Sequence, residues 1–236
     1  MSSIIKICGL SSEPTLEAAL EAGADMVGFV FFDKSPRHLS LDQARLLARM
    51  ARGRAPIAAL TVDASDEALG AIIDAVAPDF LQLHGRESPA RLADLKRTFG
   101  VPTIKAIGVS AIGDLAAAED YADLADRLLF DAKAPEDARL PGGNGVAFDW
   151  RLLAGLALKQ PYLLSGGLDP DNVAQAIAVT GAAGVDVSSG VESAPGVKDI
   201  ARIRLFIAEA RAAFVRAAAP HPLSARQSQA RSGRVA

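Results

Sequence analysis

Tyr162-Leu163-Leu164-Ser165-Gly166-Gly167-Leu168-Asp169-Pro170 is an apolar run that breaks into a serine and a pair of glycines. After a helical pattern over residues 171–179 the design recurs: Gly184-Val185-Asp186-Val187 breaks into Ser188-Ser189-Gly190-Val191-Glu192. Glycine lets a backbone come close to a ligand, and serine with the N–H groups of a helix start favours a phosphate. The two breaks together read as one anion cradle built from successive strand ends. Gly166, Gly167, Ser189 and Gly190 are its candidate contacts.

The same alternation extends backwards through the chain. Short runs rich in β-branched residues stand at 4–7, 26–30, 57–62, 80–83, 103–107, 127–130, 162–164 and 185–187. Alanine-rich helical patterns separate them at 15–22, 41–51, 66–76, 89–99, 114–121 and 171–179, and one at 198–214 closes the set. Strand and helix in strict alternation predict a parallel sheet. Eight such units over residues 1–214 predict a single (β/α)8 barrel, near the lower size limit of that fold. In such barrels a phosphate group usually sits on the loops after strands seven and eight, where the two glycine breaks fall. A doubly wound open sheet is the alternative, but no G-x-G-x-x-G follows the first strand. Neither a linker nor a second domain is visible.

Composition narrows the function. Half of the 236 residues are hydrophobic, enough for one large core. The formal net charge of −3 offers no basic field for nucleic acid. One cysteine excludes an internal disulfide framework and fits a reducing compartment. No long apolar run or basic-then-apolar leader is present, so the expectation is a cytoplasmic protein with no membrane partner. Residues 215–236 differ in kind, with Arg216, Arg226, Arg231 and Arg234, no acid and two prolines. They are expected to be a disordered basic tail, solvated rather than bound.

Four strand ends carry reactive side chains. Cys8 follows the first strand; a cysteine is commonly a small buried hydrophobe, but this one stands at the end of the barrel where active sites form. Ser11 or Ser12 would cap the next helix, whose N-terminus would favour thiolate over thiol. Arg37, in the long loop after strand two, has the fork geometry that suits a carboxylate. Phe31 and Phe32 precede it and suit either an aromatic ring or the core. His84 closes strand four and reads as a general base or as a structural or positioning residue, the latter preferred. Asp131 ends strand six and is a candidate acid, a loop-initiating aspartate, or a partner of Lys133. Three scattered histidines lack metal-ligand spacing.

Five phrases at these strand ends resemble the phosphoribosylanthranilate isomerase family. They are Lys6-Ile7-Cys8-Gly9, Gln82-Leu83-His84-Gly85, Gly142-Gly143-Asn144-Gly145 with Phe148-Asp149-Trp150, Leu164-Ser165-Gly166-Gly167-Leu168, and Val185 through Glu192. The resemblance covers residues 4–214. It implies an Amadori rearrangement of N-(5-phosphoribosyl)anthranilate in tryptophan biosynthesis, with Cys8 as general base, Asp131 as general acid and Arg37 on the anthranilate carboxylate. It implies a small phosphosugar substrate and no metal or redox cofactor, and leaves monomer or homodimer open. Two departures stand out: strand three, Ile57 to Asp63, lacks the family's Gly-Val-Phe-Val-Asn phrase, and Asn144 replaces the expected Ser or Thr. The rival readings are other phosphosugar barrels and a catalytically silent phosphate-binding barrel. Indole-glycerol-phosphate synthase would need lysine and glutamate at strand ends, and a histidine-pathway isomerase an acidic base on strand one; Cys8 speaks against both.

Overall fold

The computed structural model describes residues 3–133, 142, 147–156, 158 and 161–218. Strands β1 (Ile4–Cys8), β2 (Met26–Phe31), β3 (Ile57–Thr61), β4 (Phe80–Leu83), β5 (Thr103–Val109), β6 (Arg127–Ala132), β7 (Tyr162–Leu164) and β8 (Gly184–Val187) run in chain order around a closed barrel. Every neighbouring pair is parallel, and β8 closes on β1 with Ile4 opposite Gly184 and Lys6 opposite Asp186. Helices α1 (Glu13–Glu21), α2 (Leu41–Ala51), α3 (Asp66–Val76), α4 (Pro89–Phe99), α5 (Ala116–Tyr121), α6 (Val173–Thr180) and α7 (Ile200–Ala218) cover the outside. Between β6 and β7 the described residues hold a 3₁₀ turn, Trp150–Leu153, and no α-helix.

Local chemistry explains the regularity. Ser40, Ser65 and Ser88 each cap a helix start, their hydroxyls accepting the N–H of Gln43, Ala68 and Arg91. At the opposite end of the barrel, an aspartate ahead of β2, β4 and β6 accepts the N–H that opens or nearly opens the preceding strand. Asp25 takes Ile5, Asp79 takes Ile57 and Asp126 takes Thr103, at 2.8–2.9 Å. These staples satisfy backbone donors that the ladder leaves over.

Strand residues two apart share a face, so the barrel has two apolar layers. Ile5, Ile7, Phe29, Ile57, Leu81, Phe130 and Val185 point outward and pack under the helices. Met26, Ala58, Ile104, Ala106, Leu129 and Leu163 fill the lumen. Phe31 packs in the outer core, so of its two readings the core one holds. The lumen layer stops short of the C-terminal ends of the strands. Above it, the inward positions Cys8, Gln82, His84, Asp131, Ser165 and Ser188 bring polar groups to the floor of the mouth. Helix α7 runs past the expected boundary at 214, its last turn exposed from Val215 to Ala218. Residues 219–236, most of the expected tail, lie outside the described residues, as do Gly143, Asn144 and Gly145. Among the described residues no helix is long and apolar enough to cross a membrane.

Candidate active site

Cys8 is buried, with its sulfur facing the lumen beside Gly28 of β2, its register partner. A β-carbon at position 28 would stand 2.9 Å from the Cys8 sulfur and 3.2 Å from Lys6 Nζ. Only glycine leaves room for both groups there. Lys6 Nζ donates to Asp186 Oδ1 at 2.8 Å, and both side chains are sealed from solvent. Burial pushes the Cys8 thiol up, and more strongly than the Lys6 and Lys198 ammonium groups pull it down. The expected thiolate-favouring helix start does not decide the matter: α1 begins only at Glu13, and the Ser12 hydroxyl turns to Thr15 instead of capping. Desolvation wins at this position and favours the thiol.

Asp131 faces the same mouth from β6. Its Oδ2 lies 3.1 Å from His84 Nε2, and His84 Nδ1 is 3.1 Å from Gln82 Nε2. Lys133 turns away to Asp114 at 2.9 Å, which removes the ion-pair reading of Asp131. His84 is therefore the side-chain partner of Asp131. The Gln82 amide nitrogen can only donate, so Nδ1 accepts from it and the ring hydrogen sits on Nε2, which donates to Asp131 Oδ2. The backbone at Gly142 crosses directly over this pair, because a β-carbon there would collide with His84 Nε2 and come within 2.6 Å of Asp131 Oδ2.

The anion loops close the side of the mouth next to Asp131. Gly166 has φ +84, and a β-carbon on it would meet the Ala132 nitrogen at 2.5 Å and Asp131 Oδ1 at 3.1 Å. Gly167 also has positive φ, and the Gly190 backbone packs against the Leu168 carbonyl, so the two loops form one surface. Ser189 opens the 3₁₀ turn Ser189–Val191. Helix α6 starts later than expected, at Val173, because Asn172 spends its side chain on the loop, donating to Gly167 O and accepting from Asp169 N.

Arg37 sits across the mouth with its stem over Gly9, where Ser188 Oγ also arrives. It is buried, and its fork is engaged by protein: Nε donates to Glu192 Oε1 at 2.7 Å and Nη2 to Oε2 at 2.8 Å. Glu192 opens a small hairpin of β9 (Glu192–Ala194) and β10 (Val197–Lys198). Lys198 Nζ donates to Glu192 Oε1 at 2.7 Å and to Ser188 O at 2.8 Å. Burial is the largest influence on Lys198 and lowers it to about 8 in spite of Glu192. Burial raises Glu192, but Arg37 and Lys198 together outweigh it and hold the carboxyl below its ordinary value.

Comparison with known proteins then decides the family. The sequence profile described as N-(5'-phosphoribosyl)anthranilate (PRA) isomerase matches residues 5–209. The chain belongs to the N-(5'-phosphoribosyl)anthranilate isomerase family. Relatives of that name in Rhodopseudomonas palustris (strain HaA2) and Nitrobacter hamburgensis are 60% and 61% identical, covering 90% and 91% of this chain and 97% and 96% of their own. The crystal structure of the phosphoribosyl anthranilate isomerase of Thermotoga maritima superposes with TM-score 0.80 at 35% identity over 90% of this chain and all of that one. A further isomerase structure, in complex with reduced 1-(o-carboxyphenylamino)-1-deoxyribulose 5-phosphate, is similar at TM-score 0.76 and 32% identity over 90% of this chain and 100% of that one.

Within this isomerase fold, Cys8, Arg37, His84, Asp131, Gly166, Gly167, Ser189 and Gly190 all lie around the C-terminal mouth of the barrel. The structure adds Lys6, Gly28, Gln82, Asp186, Glu192 and Lys198, which sequence reading passed over. Two of them carried a visible signal: Lys6 and Asp186 are charges in the middle of apolar strands, at inward positions. Lys198 carried none, because its run Val197-Lys198-Asp199-Ile200 reads as a helix start.

Proposed function

We propose that this chain converts N-(5'-phosphoribosyl)anthranilate to 1-(2-carboxyphenylamino)-1-deoxyribulose 5-phosphate, with Asp131 as acid and Cys8 as base. The supporting observation is that both side chains face one mouth, between glycine loops fit for a phosphate and an arginine fit for a carboxylate. Asp131 in its acid form gives a proton to the furanose ring oxygen. The bond from that oxygen to C1′ breaks with its electrons on oxygen, and the nitrogen lone pair closes a protonated imine. The Cys8 thiolate takes the proton from C2′; the C–H electrons form the C1′–C2′ double bond and return the imine pair to nitrogen. The resulting enolamine tautomerises to the ketone. Gly166, Gly167, Ser189 and Gly190 hold the phosphate end. Arg37, across the mouth from Asp131, meets the anthranilate carboxylate. Fixing both ends converts binding energy into orientation at the reacting carbons.

The experiment is turnover of purified variants, followed by the fall in anthranilate fluorescence. Cys8→Ala and Asp131→Ala each remove one proton transfer, and each is expected to lower kcat by at least about 10²-fold with the fold intact. Near-parental turnover in either variant removes that residue from the mechanism. In both, it removes the mechanism.

A further inference from the structure

Lys6 takes no part in the proton transfers just described, yet its side chain is fully buried, the bulkiest among the described residues with no appreciable exposure. Its level in the lumen could be filled as Met26, Ile104 and Leu129 fill theirs. A buried ion pair such as Lys6–Asp186 contributes little stability over apolar residues of the same size, since desolvation offsets the attraction. Stability therefore gives no reason for two charges at this depth.

Position gives one. Cys8 is two residues on from Lys6, on the same face of β1. The point above Gly28 that is 2.9 Å from the sulfur is 3.2 Å from Nζ, so sulfur and ammonium lie within about 6 Å of each other, where opposite charges act strongly. The ammonium's charge favours the ionised sulfur, the largest influence opposing burial at this thiol. The other charges that reach Cys8 are Asp186, which repels a thiolate, and Lys198 across the mouth, which attracts it more weakly than Lys6 does. A base that must give up its proton inside a barrel needs a fixed cation, because burial alone keeps it neutral.

We propose that Lys6 is the positioning residue of the base: clamped by Asp186, its ammonium orients the Cys8 sulfur and stabilises the thiolate that takes the C2′ proton. Asp186 keeps the cation charged where burial would neutralise it. Burial draws Lys6 down, but Asp186 at 2.8 Å and the sulfur outweigh it and hold the ammonium form. Asp186 thus opposes the thiolate directly and supports it through Lys6, and the larger effect is the second.

The proposal rests on Cys8 being the base, but its test does not require turnover. The chain has one cysteine, so ultraviolet thiolate absorbance and the rate of alkylation by iodoacetamide report Cys8 alone. In Lys6→Met the midpoint of thiolate formation should rise by about one pH unit or more, the scale set by a close opposite charge. Lys6→Met leaves Asp186 buried and alone and could unfold the barrel. The double variant Lys6→Met/Asp186→Leu removes both charges, should fold, and should still show the midpoint raised, because the lysine acts on the sulfur more strongly than the aspartate. In it kcat should fall by about tenfold or more while KM stays within about threefold. An unchanged midpoint in a folded double variant overturns the proposal, since a merely structural lysine would leave the thiol where it was. So does an unchanged kcat. If Cys8→Ala keeps its turnover the base reading fails, and the titration still decides whether Lys6 governs the sulfur.

Discussion

Arg37 shows how much of a residue's role depends on what holds it. A guanidinium carries five N–H donors in a rigid plane, and Glu192 takes two of them along one edge. That pairing fixes the guanidinium plane before any substrate arrives, so less orientation has to be imposed on binding. Arg37→Ala should therefore act mainly on KM, raising it by about tenfold or more, with a smaller fall in kcat from looser orientation. Steady-state kinetics on the purified variant checks this, and an unchanged KM would remove Arg37 from substrate binding. The fold should survive, because Glu192 keeps Lys198 and the Gly196 N–H as partners. The phosphate loops answer to a different reagent. Inorganic phosphate should raise the melting temperature of the parent, since it binds the native state alone. In Ser189→Asp the added charge should abolish that protection. Equal protection of parent and variant would move the phosphate elsewhere.

At the scale of elements, the strands and most helices were legible because their signals are local. Residues 41–51, 66–76 and 89–99 form helices with the expected bounds. Each has a serine cap just ahead of an apolar period. The hairpin after β8 was not legible. Glu192-Ser193-Ala194-Pro195-Gly196-Val197-Lys198 has no alternation to mark two strands. What orders it is distant in sequence, the Arg37 fork and the Pro36 carbonyl against which Gly196 packs. A pH prediction belongs to this element. Glu192 has its folded value lowered below the ordinary 4.5, with burial opposing and Arg37 and Lys198 prevailing. The folded chain thus holds that proton less well than the unfolded chain does. The resulting stability is present above the ordinary value and is lost as pH falls through and below it. Glu192→Gln has no such proton to gain. Urea unfolding should show the parent ahead of Glu192→Gln at neutral pH, with the gap narrowing at about pH 4. A gap of constant size would mean that the carboxylate charge adds nothing and that shape alone holds the hairpin.

Over the whole molecule the two ends of the barrel have separate tasks. Backbone staples from Asp25, Asp79 and Asp126 lie at one end, and Cys8, Arg37, Asp131 and the glycine loops lie at the other. That division was readable from sequence, because strand order alone fixes which end each loop occupies. The ion pairs across the lumen were not, since Lys6 and Asp186 meet only when β8 closes on β1. The C-terminus gives the prediction at this scale. The family match ends at residue 209, and α7 buries its last core contact at Phe214. Val215 is 67% exposed, and the helix ends at Ala218 without a buried side chain beyond Phe214. The residues after it carry three arginines, two prolines and no acid, and offer no apolar period to dock on a barrel. A chain ending at Ala218 should keep the parental melting temperature and turnover. Cutting at Phe214, the boundary expected from sequence, should cost only the fraying of an exposed turn, within about 1 kcal/mol. Thermal unfolding and the fluorescence assay on the two shortened chains check both statements. A clear loss of melting temperature or turnover on removing residues 219–236 alone would show that the tail packs on the barrel or completes its mouth.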